Sequence, residues 1–206
     1  MKEAPRVGVL ALQGDFHAHA RMLEEAGAGT REVRKPADLA GLHGLVIPGG
    51  ESSALLKLME ETGFETALTA FHQQGGALFG TCAGMILLAR GVSSPAQRSL
   101  GLIDVDVERN AYGRQIDSFE AEADWTAPEL DGAKAGPLPL VFIRAPRLTR
   151  QGKDVVPLAR CRDEVILARE GRVVVSSYHP EISGDPRVHR YFLGLVALPG
   201  GVRQDP

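Results

Sequence analysis

Residues Val7 to Leu12 form an unbroken apolar run, the pattern of a strand buried on both faces of a parallel sheet. Leu45 to Ile47 and Ala77 to Phe79 repeat it. Between and after these runs the apolar positions spread to helical spacing. Phe16 to Ala26 reads as a helix closed by Gly27, followed by Ser53 to Met59, Glu65 to Gln74 and Met85 to Arg90. From Leu140 onward the chain turns to short strand-like runs: Leu140 to Ile143, Val155 to Arg160, Val165 to Ala168 and Val173 to Ser176, with Glu170-Gly171 as a hairpin turn. Arg187 to Leu198 reads as a closing helix. Strands that alternate with helices predict an α/β fold, a mostly parallel sheet with helices on both faces. No repeat or linker interrupts the pattern, so one domain is expected over 1–206, with a frayed tail at 199–206.

Such sheets place their ligands beyond the carboxyl ends of the strands. Three segments with chemistry in them follow strand-like runs. In Phe79-Gly-Thr-Cys82-Ala-Gly84 a lone cysteine stands between glycines, just before a helix former. This spacing is that of a nucleophile elbow, in which a sharp strand-to-helix turn exposes the nucleophile. Gly80 and Gly84 leave room where the chain must pass close to itself, and a helix N-terminus favours the thiolate. Read alone, a cysteine in an apolar segment is most often a small buried hydrophobe. Ser177-Tyr-His179-Pro-Glu181 changes the balance, since a thiol nucleophile needs a base and the base needs an orienting group. Pro180 keeps that pair off a central strand and at a strand end. In Pro48-Gly-Gly50-Glu51-Ser52 the glycines permit an unusual peptide orientation, so a Gly50 N–H can face an oxyanion, with the amide of Ala83 as the second donor. The same segment also reads as a plain loop with Ser52 as a helix N-cap.

Together these segments resemble the class I (triad) glutamine amidotransferases. They are most similar to the family of glutaminase subunits of pyridoxal 5′-phosphate synthase. Val7 to Gly14, Val107 to Asn110, Gly113-Arg-Gln-Ile-Asp-Ser-Phe-Glu120 and Val141-Phe-Ile-Arg-Ala-Pro146 also carry the resemblance, in the family's order across nearly the whole chain, and the stretches Gly113 to Phe119 and Phe142 to Pro146 are the most particular to it. The resemblance implies a flavodoxin-like three-layer sandwich and hydrolysis of L-glutamine to glutamate and ammonia through a cysteine thioester. It makes Cys82 the nucleophile, His179 the base and Glu181 its orienter. It gives Gly50, Glu51, Ser52, Arg109, Ile143 and Arg144 contacts with glutamine. By themselves the two arginines would read as surface residues. The implied partner is a (β/α)-barrel synthase subunit that receives the ammonia, and no cofactor is implied. Two segments depart from the family pattern, Ala123 to Pro139 and the Ser/Pro-linked Arg98 to Gly101, and both read as surface loops clear of the site.

Composition narrows the alternatives. The chain has 206 residues, 44% of them hydrophobic, enough for a sizeable core. A net charge of −3 gives no reason to expect nucleic acid or an anionic membrane. The two cysteines make no disulfide framework, and with no signal sequence or apolar span a cytoplasmic protein is expected. Cys161 has no motif around it. His17 and His19 stand two apart on a predicted helix and so point to different sides, which argues against a metal site. Three other functions fit parts of the pattern: a glutaminase feeding a different synthase, a stand-alone cysteine hydrolase or chaperone-like protein of related fold, and a non-catalytic regulatory subunit.

Overall fold

The computed structural model describes residues 5–109, 111, 119–126 and 136–198. Five parallel strands carry the site: β1 (Arg6–Leu10), β2 (Gly29–Val33), β3 (Gly44–Ile47), β4 (Ala77–Thr81) and, from the far end of the chain, β12 (Val173–Ser176). They lie in the order β2-β1-β3-β4-β12, and the sheet then continues antiparallel through β11 (Glu164–Glu170), β10 (Val156–Cys161), β7 (Phe119–Trp125) and β8 (Leu138–Phe142). The apolar runs work as expected of strands covered twice. Val7, Val9, Val46, Phe79 and Val174 face one core, whereas Leu10, Leu45, Ile47, Leu78 and Val175 face the other. Helices α1 (Phe16–Glu25) and α5 (Arg187–Ala197) cover the first face, and α2 (Ser52–Thr62), α3 (Phe64–Gln73) and α4 (Ala83–Leu88) the second. The fold is therefore the α/β sandwich the pattern predicts. No helix among the described residues is long and apolar enough to cross a membrane.

Local chemistry sets the helix ends. Asp15 caps α1 by accepting from the Ala18 amide at 3.0 Å. The left-handed Gly63 (φ +77°) ends α2 and opens α3. The Glu170-Gly171 turn joins β11 to β12 as expected, with Gly171 at φ +52°.

Several expectations change. The helix predicted over Met85 to Arg90 stops at Leu88, because Ala89 turns to extended backbone and begins β5 (Ala89–Ser93). That strand pairs with β6 (Ile103–Glu108), which pairs with β9 (Arg147–Gln151), in a second sheet of three strands. The segment read as a loop over Ala123 to Pro139 contains the end of β7 and the start of β8, with Ala123 and Leu138 in the core. Residues 127–135 between them, 113–118 of the Gly113 motif and Asn110 of the Val107 motif lie outside the described residues, as does the tail from 199.

Candidate active site

Strands β3, β4 and β12 are neighbours in the sheet, and each ends at one of the three predicted segments. The ladder pairs Ser176 with Thr81, so the turns after β4 and β12 leave the sheet side by side. Between Thr81 and Ala83 one residue makes the whole turn: Cys82, at φ +50° and ψ −104°. A side chain held in such sparsely populated backbone costs about 1–3 kcal/mol, which surrounding structure must supply. The Cys82 amide donates to the Ser176 carbonyl at 2.8 Å. A Cβ on Gly80 would lie 2.6 Å from the Gly84 carbonyl, and one on Gly84 would collide with the Ile47 carbonyl, so the close crossing needs both glycines.

The His179 amide donates to the Val141 carbonyl at 2.9 Å. Pro180 then opens a short 3-10 turn (Pro180–Ile182) that swings Glu181 back under the ring. The His179 Nδ1 to Glu181 Oε1 distance is 2.7 Å. Burial works against a charged His179, but the neighbouring Cys82 and Glu181 outweigh it and raise its pKa to about 10. Burial likewise opposes ionised Glu181, yet His19 and His179 beside it hold the carboxyl below its usual range. Gly49 makes this packing possible, since a Cβ there would stand 2.5 Å from His179 Cε1 and 3.3 Å from Cys82 Cβ.

The three side chains border a cavity of about 330 Å³. Gly50, Glu51, Ser52, Arg109, Ile143 and Arg144 line it too, so nine of the ten sequence-predicted site residues meet there. The tenth, Ala83, is buried at the first position of α4, where a main-chain N–H has no partner within the helix. Gly50 sits at φ +146°, backbone that side chains rarely adopt. The capping role considered for Ser52 belongs instead to Glu51, whose carboxylate accepts from the Ser53 and Ala54 amides at 3.1 and 2.7 Å. Arg109, at the end of β6, donates to Glu51 Oε1 at 3.3 Å and to Ser53 Oγ at 2.8 Å. Arg144 is exposed and left-handed (φ +44°).

Further contributors escaped the sequence reading. Gln97, in the linker taken to be clear of the site, accepts from the Ser52 and Ser53 hydroxyls at 3.0 and 3.2 Å. Gly14, Asp15, Gly49, Ile86 and Ile182 also line the cavity. Behind Glu181 lies His19, fully buried, with Nε2 3.3 Å from Glu181 Oε2 and 3.2 Å from Thr81 Oγ1. His17 points out to solvent, on a different side of α1 from His19, as their spacing predicts.

The geometry can be set beside known proteins. The pyridoxal 5′-phosphate synthase subunit PdxT of Deinococcus radiodurans is 53% identical over 195 residues, covering 92% of this chain and 96% of that protein. The PdxT subunit of Thermus thermophilus is 50% identical over 194 residues, covering 93% and 98%. A crystal structure of a glutamine amidotransferase superposes with a TM-score of 0.83 at 47% identity, covering 92% of this chain and 98% of that one. The PurLQS structure from Thermotoga maritima shares only 16% identity and shows the fold alone, with a TM-score of 0.69 over 94% and 98% of the two chains. The family model described as the SNO glutamine amidotransferase family matches residues 9–197, which include the elbow, the Pro-Gly-Gly loop and the His-Pro-Glu turn. By that match, and by relatives at half identity across almost their full length, the chain belongs to the SNO glutamine amidotransferase family.

Proposed function

We propose that this protein hydrolyses L-glutamine and delivers the ammonia to a synthase subunit that makes pyridoxal 5′-phosphate. The observation that carries the reading is that Cys82, His179 and Glu181 line one cavity with two arginines, His179 hydrogen-bonded to Glu181 and its pKa raised by Cys82 and Glu181 beside it. His179, with its raised pKa, takes the thiol proton and leaves a thiolate paired with an imidazolium. The thiolate attacks the side-chain amide carbon, and the oxyanion is met by the amides of Ala83 and Gly50. His179 returns its proton to the nitrogen as the C–N bond breaks, which gives ammonia and a thioester. Water, deprotonated by the same imidazole, then releases glutamate. Arg109 and Arg144 offer charge-assisted bonds to the substrate carboxylate.

The relatives named as pyridoxal 5′-phosphate synthase subunits, matched over nearly their whole length, support this partner over another ammonia user. The amidotransferases of other kinds share under 25% identity and speak only for the fold. The partner is expected to be a (β/α)-barrel that joins ammonia to a pentose phosphate and a triose phosphate, with both subunits in the cytoplasm. The test combines the purified chain with a pyridoxal 5′-phosphate synthase subunit and follows glutamate release. Release that rises on adding the synthase and disappears in Cys82→Ala supports the reading. No release with the synthase present, or full release by Cys82→Ala, would overturn it.

A further inference from the structure

A buried carboxylate is costly unless both oxygens find partners. Glu181 is 5% exposed, and its Oε1 is taken by His179. Oε2 has no aligned hydrogen bond, but the ring of His19 stands against it at 3.3 Å. His19 comes from α1, on the same face as Met22 and Leu23, and is itself fully buried. Its other nitrogen, Nδ1, lies 3.0 Å from Nε2 of His189, a fully buried residue of α5. The catalytic array therefore does not end at Glu181. It runs on through two imidazoles that hydrolysis itself does not consume.

The direction of the bonds follows from counting protons. Burial, and for His189 the neighbouring His19, keeps both rings from charging, lowering His189 to about 3 and His19 below its usual range. A neutral imidazole has one donor and one acceptor. His189 Nδ1 has no hydrogen-bond partner among the described residues, so an N–H placed there would be stranded. The proton belongs on His189 Nε2, which donates to His19 Nδ1. His19 must then carry its own proton on Nε2, facing Thr81 Oγ1 and Glu181 Oε2. The opposite tautomers would put a lone pair against the carboxylate and a stranded N–H on His189. The tautomers are assigned from this network.

We propose that His19 is a positioning residue: its Nε2–H holds the second oxygen of Glu181, fixing the carboxylate that orients His179, and His189 sets the His19 tautomer. This rests on the hydrolytic reading of the Cys82–His179–Glu181 chain. The charged or titratable groups facing this pair are His179, Asp15 at the α1 cap and the Tyr178 hydroxyl, together with His189.

Two polar substitutions separate the role from simple packing. A glutamine amide reaches about as far as an imidazole Nε2, whereas an asparagine amide reaches only the Nδ1 position. His19→Gln should keep most turnover in the complex with the synthase. His19→Asn keeps the His189 side of the contact but abandons Glu181, and should lose about 10- to 100-fold in kcat with KM for glutamine little changed. Without the donor Glu181 protonates more readily, so the acidic limb of the kcat profile should move to higher pH in His19→Asn and not in His19→Gln. Equal kcat and identical pH profiles in the two variants would overturn the proposal, as would wild-type turnover in both. A partner-free readout guards against failure of the functional reading: the pH dependence of Cys82 alkylation by iodoacetamide, measured in a Cys161→Ser background. The His19→Asn profile should shift there too. An unshifted profile sinks the positioning role even if the wild-type chain never releases glutamate, and a shifted one upholds it. Melting temperatures confirm that both variants fold, and His189→Leu, one contact further out, should give a smaller loss than His19→Asn.

Discussion

Replacing Gly49 by alanine puts a methyl group against the His179 ring. The new carbon would stand 2.5 Å from His179 Cε1, where ordinary contact begins at 3.4 Å, so the ring must retreat by about 0.9 Å. It cannot do so freely. Its Nδ1 is bonded to Glu181 at 2.7 Å, and Cys82 Cβ lies 3.3 Å from the same methyl on another side. A displacement of about 1 Å in a reacting group costs on the order of 100-fold, or about 2.7 kcal/mol of barrier. Backbone strain adds little, because Gly49, unlike Gly50, has no positive φ. We therefore expect Gly49→Ala to fold with a melting temperature close to that of the parent, to lose about 100-fold in kcat, and to change KM for glutamine by no more than a few-fold. Glutamate release with saturating synthase measures the first effect, and iodoacetamide labelling of Cys82 reports the same misalignment without the partner. Undiminished turnover in a variant shown to be folded would refute the reasoning, since the ring would then be either free to move or uninvolved.

Other expectations are more direct. Glutamine-like electrophiles should label Cys82 and spare the half-buried Cys161; a mass spectrum dominated by Cys161 adducts contradicts the assignment. Glu181→Gln removes a charge-assisted bond worth about 1.5–3 kcal/mol, so kcat should fall by at least about 10-fold with KM nearly unchanged, and steady-state kinetics would expose another orienting carboxylate if it did not. Arg109→Ala should raise KM for glutamine more than it lowers kcat; a loss confined to complex formation would move this arginine to the interface. The raised pKa of His179 makes its contribution to stability full below about 6.5 and lost as pH climbs to about 10. The melting-temperature advantage of the parent over His179→Asn should shrink across that window, and a constant difference would disprove the coupling.

The parts of this molecule that sequence reveals are those whose pattern is self-contained. Strands β1, β3, β4 and β12 are runs of apolar residues covered on both faces, and no neighbouring segment is needed to recognise them. The elbow and the His-Pro-Glu turn carry their chemistry within a few residues. Strand β2 escapes because it lies at the sheet edge with Arg31 and Glu32 exposed, so its composition is that of a loop. Strand β9, Arg147 to Gln151, is exposed at its end for the same reason. In β6 the apolar residues alternate with Asp104 and Asp106, whose charges are answered by Arg90 and Arg150 from β5 and β9. That pairing cannot be seen in one segment. His19 is the clearest case. On α1 it is one histidine near another, and its meaning comes from Thr81, Glu181 and His189, which are 62 to 170 residues away.

The ladder between β4 and β12 bears on how the protein fails under heat. Cys82 is tied by its own amide to the Ser176 carbonyl, inside the best-covered part of the sheet. Its amide hydrogen should exchange with solvent only when the whole sheet opens. Gly50 and Arg144 line the cavity from exposed turns and, among the described residues, make no such backbone bond. Warming should therefore dismantle the active site in order. The grip on substrate loosens first, while the reactive sulfur persists until the protein unfolds, so a heated sample can stop turning over glutamine and still present a single alkylatable thiol in the elbow.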